Sequence, residues 1–296
     1  MKWRVLSLCV LSIVCARGAM AGEHSFDESR QVKPGDQFVL RAHRGYAYIS
    51  AWDRNELRIL AQLPDGEEMQ LRELRNIYIA VAPSAKEDYK LAEFDITVPK
   101  WMEVEVEGHT LEVEIEGLVS KLSVEVIEGN IQVIGGKDRI FLRSLQGSIR
   151  VEHAEGRIDV ASSHDNVTVL DSSGQLLAEA INGDIRLSGV RSDNVEAISF
   201  SGGVLYDGSI EPGGDYYFST HDGDIDVALG EEASAAVTII TKQGDFTADF
   251  ELKLMPMTNR DRLEFVLGDG KARVRAESFS GDVHFFDPKT GRKKKG

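Results

Sequence analysis

Seven residues, Gly129, Asp138, Gly147, Gly156, Asp165, Gly174 and Gly183, fall nine positions apart. Two positions after each stands Ile131, Ile140, Ile149, Ile158, Val167, Leu176 or Ile185. Four positions after each stands Val133, Leu142, Val151, Val160, Val169, Ala178 or Leu187, and only Ala178 is not a large aliphatic. Gly and Asp tolerate the left-handed backbone of a tight turn. Aliphatics spaced by two point to one side of a short strand. A turn and a strand repeated on this ruler define a β-solenoid. Differently worded turns alternate, Ile181-Asn182-Gly183-Asp184-Ile185 against Gly135-Gly136-Lys137-Asp138, so two units make one coil of about 18 residues. The expectation is an all-β, parallel β-solenoid or β-helix. From Val104 to Phe286 it makes about ten coils, a stack roughly 45–50 Å long.

The ruler loosens past Leu187 but persists in Ser201-Gly202-Gly203-Val204, Asp222-Gly223-Asp224-Ile225, Gln243-Gly244-Asp245-Phe246 and Ser280-Gly281-Asp282-Val283. Insertions such as Pro212-Gly213-Gly214 and Met255-Pro256-Met257-Thr258-Asn259 are expected to project as loops. Upstream, Pro34-Gly35 reads as a turn, Leu57, Ile59 and Ala61 as a strand, and 64–74 as a charged loop or short helical turn. Ile77–Val81 returns to strand, 84–90 to a polar loop, and Phe94–Pro99 to a strand stopped by proline. Val104, Val106, Leu111, Val113 and Ile115 then alternate with Glu103, Glu105, Glu107, Glu112, Glu114 and Glu116, a strand with one buried and one acidic face. The Glu row is either a solvated face that discourages edge pairing or a source of oxygen ligands for a hard cation. The expected units are a signal peptide (1–21), a β-rich N-terminal cap (22–100), the solenoid (101–287) and a basic tail (288–296). Phe285-Phe286-Asp287-Pro288 is expected to close the far end.

Export is read from the first residues. Lys2 and Arg4 precede an apolar run from Val5 to Ala16, and Ala19-Met20-Ala21 is a small-x-small cleavage site. Both cysteines, Cys9 and Cys15, lie in this segment, so a chain beginning near Gly22 has no disulfide and no thiolate. Loss of Lys2, Arg4 and Arg17 takes the formal charge from -15 to -18. Such a chain repels nucleic acid over most of its surface. The exception is the tail, where Lys289, Arg292, Lys293, Lys294 and Lys295 cluster, either as a frayed terminus or as a contact for anionic lipid or glycan. No second long apolar run follows, which predicts no transmembrane segment in the mature chain and a periplasmic or extracellular location.

Val32-Lys33-Pro34-Gly35-Asp36 through Trp52-Asp53, Phe94–Pro99, the recurrent Gly-Asp-Ile phrase, Gly268-Asp269-Gly270-Lys271-Ala272 and Ser278–Val283 together resemble one family. This is the DUF4097 β-strand-repeat family, whose members carry the label "putative adhesin". The resemblance covers nearly the whole mature chain. It implies the solenoid fold and, by analogy of fold, an adhesin-like role.

Asp184, Asp224, Asp245 and Asp282 each follow a turn glycine. Coils in register would align them along one edge as a surface acidic row, able to hold Ca²⁺ or to act on polysaccharide. Alternatively each Asp simply favours its turn by bonding to nearby backbone. The Gly-Gly-x-Gly-x-Asp repeat of calcium-binding β-rolls is missing. His153, His164 and His221 read as surface turn residues, since no zinc-ligand spacing joins them. Ser162-Ser163-His164-Asp165 cannot form a triad, because neighbours on a strand face opposite sides. Tyr206 and Tyr216-Tyr217-Phe218 read either as contact aromatics or as core. No catalytic residue, cofactor or metal is assigned. The expected role is a non-catalytic adhesin-like or scaffolding solenoid of the cell envelope, with a protein or glycan as partner. The alternatives are a polysaccharide-active β-helix enzyme using surface carboxylates and an envelope-stress regulatory partner of a membrane protein.

Overall fold

The computed structural model describes residues 24–82, 91–252 and 262–291. The leader with its two cysteines, the segments 83–90 and 253–261, and residues 292–296 of the basic tail lie outside the described residues. The chain opens with β1 (His24–Gln31), β2 (Gln37–Trp52), β3 (Glu56–Leu63), β4 (Gln70–Leu74), β5 (Ile77–Ala82), β6 (Ala92–Pro99) and β7 (Glu103–Leu118). Short strands then alternate: β8 (Leu122–Glu128), β9 (Ile131–Gly135), β10 (Lys137–Gln146), β11 (Ile149–Glu152), β12 (Glu155–Ser162), β13 (Val167–Leu170), β14 (Ser173–Ala180) and β15 (Ile185–Ser188). The series continues with β16 (Asn194–Ser199), β17 (Val204–Asp207), β18 (Asp215–Thr220), β19 (Ile225–Ala228), β20 (Ala235–Thr241) and β21 (Phe246–Ala248). It ends with β22 (Arg262–Leu267), β23 (Ala272–Ser278), β24 (Val283–Phe286) and a single helical turn, α1 (Pro288–Gly291).

These strands form the two faces of a flattened parallel β-solenoid. One face stacks β5, β2, β7, β8, β10, β12, β14, β16, β18, β23 and β20. The other stacks β6, β2, β7, β9, β11, β13, β15, β17, β19, β24 and β21. In the regular middle, partners lie 18 residues apart, as in Ile140↔Ile158 and Ile149↔Val167. Eleven rungs at the usual inter-strand spacing span about 48 Å. The long strands β2 and β7 run across both faces, and nine of the eleven rungs belong to 103–286.

The ruler's aliphatics fill the space between the faces. Ile140, Leu142, Ile149, Val151, Ile158, Val160, Val167 and Val169 are all buried. Ala178, which breaks the pattern, packs at the same depth. Its neighbours in register are Val160 and Ala197. Farther along, the core turns aromatic with Tyr206, Tyr216, Phe218, Phe265 and Phe285.

Both ends depart from sequence order. β2 lies between β7 and the rung made by β5 and β6, so the chain steps outward and returns. At the far end β23 and β24 sit between the β18/β19 rung and the β20/β21 rung. The Phe285-Phe286 segment therefore does not close the stack; it lies one rung in. Antiparallel strands cover the edges: β3 on β6, β1 on β3, β4 on β5 and β22 on β20. The charged stretch 64–74, read as a loop or helical turn, contains β4, because Leu71 and its neighbours pair with the edge of β5.

A glycine row sets how closely the rungs approach. A Cβ on Gly202 would lie 2.1 Å from the carbonyl oxygen of Gly183, and one on Gly223 2.1 Å from that of Gly202. At the adjacent Gly203 the nearest atom would be 3.3 Å away. Gly202→Ala should therefore destabilise by about 2–3 kcal/mol, while Gly203→Ala stays within about 1 kcal/mol. Urea unfolding of the two single variants checks the contrast.

Candidate functional site

The turn that carries each coil from the first face to the second is built from stacked rows. The innermost is hydroxyl. Ser144, Ser162, Ser199, Thr220 and Ser278 are buried at it. Ser162 Oγ donates to Gly147 O (2.9 Å), Thr220 Oγ1 to Gly202 O (2.8 Å) and Ser278 Oγ to Gly223 O (3.0 Å). The same oxygens accept an N–H three residues on: Asp165 for Ser162, Gly202 for Ser199, Gly223 for Thr220 and Gly281 for Ser278. The signal was present in the sequence as a Ser or Thr three positions before a corner glycine, or before Asp165 in the case of Ser162. Sequence reasoning directed at nucleophiles passes over it, because each hydroxyl is spent on backbone groups that burial would otherwise leave unpaired.

One position after the glycines comes the acidic row. Asp184, Gly203, Asp224, Asp282 and Asp245 share one register position on five successive rungs. Asp184 Oδ1 accepts the N–H of Gly203 (2.8 Å), Asp224 Oδ1 that of Asp282 (2.8 Å), and Asp282 Oδ1 that of Asp245 (2.7 Å). Neutral amides do the same work earlier in the row: Asn130 Oδ1 holds the N–H of Ser148 and Asn166 Oδ1 that of Asp184, both at 2.8 Å. The row thus serves as a ladder of rung-to-rung bonds, with Asp224, Asp282 and Asp245 as an unbroken run of carboxylates. Where Gly203 contributes no side chain, an open groove of about 560 Å³ forms, lined by Asp184, Arg186, Ser201, Asp224 and Asp226. Among the described residues no group of three or more His, Cys, Asp or Glu is arranged to hold a metal ion.

Beside that ladder, Asp222 Oδ1 accepts from Ser280 Oγ (2.8 Å) and lies 2.9 Å from His221 Nδ1. The carboxylate stands in the middle, so the imidazole is not placed as a base on the serine. The Ser280 hydroxyl, then His221, hold the Asp222 carboxyl below the usual carboxylate range. His221 is stacked between Phe200 (5.0 Å) and Phe279 (4.7 Å). These rings stack on each other along the corner, so their faces are used within the row. His164 Nδ1 lies 2.9 Å from the Leu145 carbonyl, and His153 holds a left-handed turn at φ 56°.

The aromatic candidates divide. Tyr206, Tyr216 and Phe218 are core, and burial pushes the Tyr206 phenol far up. Tyr206 Oη donates to Ser209 O and Tyr216 Oη to Ser192 O, both at 2.6 Å. Tyr217 faces outward under the Arg275 guanidinium and donates to Glu277 (3.0 Å).

A different pair of tyrosines is the exposed one. On the second face, near the N-terminal end, Tyr46 is 51% and Tyr48 39% exposed. Cross-strand register puts Tyr46 between Glu93 and Glu112, and Tyr48 between Asp95 and Glu114. Partial burial, then Glu116, Glu114 and Asp95, push the Tyr48 phenol up. A shallow concavity of about 450 Å³ opens there, lined by Tyr46, Tyr48, Leu60, Glu93, Asp95 and Asp27 among others. Sequence reasoning missed this array because β2, β6 and β7 meet across separations of 47 and 66 residues, as in Tyr48↔Asp95 and Tyr48↔Glu114.

The family model "Toastrack DUF4097" matches residues 92–285. The chain belongs to the DUF4097 family. No curated protein matches the sequence. Among solved structures it is similar to a "putative adhesin" from Bacteroides fragilis, at 14% identity and a TM-score of 0.42, covering 90% of this chain and 99% of that one. It is also similar to a "putative adhesin" from Parabacteroides distasonis (10% identity, TM-score 0.41, 89% and 98% covered). A third, a "putative lipid binding protein" from Parabacteroides distasonis, shows 9% identity and a TM-score of 0.39, with 89% and 97% covered.

Two predictions follow from the ladder. Asp282→Asn keeps an acceptor for the Asp245 N–H and removes a like charge between Asp224 and Asp245, so stability changes by no more than about 0.5 kcal/mol. Asp282→Ala loses the bond and costs about 1 kcal/mol. Thermal unfolding of both variants separates the ladder role from a need for charge. For Asp222, whose carboxyl is depressed in the folded state, the linked stabilisation is present above the ordinary carboxylate range and fades as pH falls through the folded pKa. Ser280→Ala should move the Asp222 titration upward, read by NMR.

Proposed function

We propose that the protein is an exported, non-catalytic β-solenoid of the cell envelope that serves as an adhesin-like or scaffolding module for a protein or glycan partner. The observation that carries this reading is where the reactive groups go. The corner hydroxyls bond glycine carbonyls, and Asp184, Asp224 and Asp282 bond the next rung's N–H groups. What the stack offers to solvent is two flat grids of outward side chains about 48 Å long. Extended repeat surfaces of this kind bind by contact area rather than by chemistry at a point. Family membership agrees with this reading. No helix among the described residues is long and apolar enough to cross a membrane. Export follows from the leader, with maturation near Gly22.

The test is capture from envelope extract with chain 22–296, read by mass spectrometry, beside a glycan array. The expected result is a specific protein or glycan retained unchanged, and an exported product whose N-terminal sequence starts near Gly22. A glycan shortened on incubation would overturn the reading in favour of catalysis along the groove at Asp184 and Asp224.

A further inference from the structure

We propose that the Tyr46–Tyr48 region of the second face docks an extended basic segment of a partner protein, one with arginine or lysine at alternate positions. The inference rests on the contact-module reading and names the face and the chemistry of its occupant.

Three features of the sheet define the occupant. First, two aromatic rings stand exposed on a β-sheet, where outward positions elsewhere on this protein are mostly short, polar or charged. Second, each ring has a carboxylate on both cross-strand sides, Glu93 and Glu112 for Tyr46, Asp95 and Glu114 for Tyr48. Neighbours in adjacent strands sit about 5 Å apart, so an arginine or lysine laid on either ring lies within reach of two carboxylates. Third, none of the four carboxylates is neutralised by a cation among the described residues; Glu112 is bonded by neutral Asn130, through its N–H (3.0 Å) and side-chain amide. An ion pair forms nearby between Arg58 and Asp27 and another on the opposite face between Arg41 and Glu107, but none among the described residues includes Glu93, Asp95, Glu112 or Glu114. Like charges side by side on a sheet oppose folding, and a cationic partner would remove that repulsion. A neutral sugar would use the rings but leave the charges uncompensated, and an anionic ligand would be repelled.

Spacing then selects an extended segment. Tyr46 and Tyr48 are two residues apart on one strand, which separates the two ranks by about 7 Å. Side chains at alternate positions of an extended peptide project from one side with that same period. The concavity beside the rings, lined in part by Leu60, gives the aliphatic stems of such side chains an apolar surface to cover.

The test uses chain 22–296 and a ten-residue peptide alternating arginine with threonine, measured by calorimetry at low and physiological ionic strength. One peptide is expected to bind per chain, more weakly as salt rises. Tyr46→Ala/Tyr48→Ala, which leaves the charge unchanged, should weaken binding by about tenfold or more, and so should Glu93→Gln/Glu114→Gln. Glu105→Gln/Glu125→Gln removes the same charge from the opposite face and should change affinity by less than about twofold. No binding, tyrosine variants that bind like the parent, or an opposite-face pair that loses as much as the patch pair would each overturn the proposal. If the alanine pair fails to fold, the glutamine pair against its opposite-face control decides. A neutral oligosaccharide that displaces the peptide would also overturn it. Capture of an envelope partner that survives Tyr46→Ala/Tyr48→Ala would sink this docking site and leave the contact-module reading intact.

Discussion

The fold depends on a close approach of backbone to backbone at one corner. Row after row, a glycine Cα sits so near the carbonyl of the preceding rung that any Cβ would fall inside van der Waals contact: 2.1 Å at Gly147, Gly183, Gly202 and Gly223, and 2.0 Å at Gly244. That approach lets a Ser or Thr three residues earlier reach across and bond the same carbonyl from within the core. It also lets the residue one position after the glycine reach the next backbone N–H from outside. Two side chains and one missing side chain thus fix each rung to the next. Each row leaves few polar groups over for other uses.

This accounts for the character of the surface. Of the four carboxylates expected on their spacing to form an acidic row, Asp184, Asp224 and Asp282 accept backbone N–H groups of the next rung, as Asn130 and Asn166 do without charge, and Asp245 ends the row. Serine, histidine and aspartate meet at Ser280, His221 and Asp222, but with the carboxylate in the middle, so that the imidazole does not reach the hydroxyl. On the flat second face Tyr46 and Tyr48 sit among carboxylates that form no ion pair among the described residues, although Glu112 accepts from the Asn130 N–H (3.0 Å) and Glu116 from the Tyr48 hydroxyl (3.4 Å).

The solenoid was legible in the sequence because its cause is local. A turn residue followed by two alternate aliphatics is a complete instruction for one rung, and seven consecutive copies leave no other reading. Rung order was not legible, for the same reason. The corner motif is alike in Thr220–Gly223, Thr241–Gly244 and Ser278–Gly281, so it carries no address, and any of these rungs can stack on any other. What sets the order is the antiparallel strand β22, which must lie beside β20 and covers its outer edge. β23 then takes the inner edge. β4 was hidden by its charges, since Arg72 and Glu73 on an edge strand look like loop residues. The acidic row was visible as a spacing, and its role was not, because a carboxylate that binds ligand and one that bonds backbone follow glycine alike.

The run of carboxylates Asp224–Asp282–Asp245 and the shape of both faces rest on β23/β24 lying inside β20/β21, so the most direct measurement is a cross-linking test of that order. A chain starting at residue 22 holds no cysteine, which makes engineered pairs unambiguous. Ser219 lies opposite Glu277 in register, and Glu277 lies opposite Ile240. Ser219→Cys/Glu277→Cys should oxidise to an intrachain disulfide, since adjacent strands place the Cα atoms within the usual span of about 4.4–6.8 Å. Ser219→Cys/Ile240→Cys, two rungs apart, should stay reduced. The reverse pattern, a bridge to position 240 and none to 277, would show a stack built in sequence order and contradict the account.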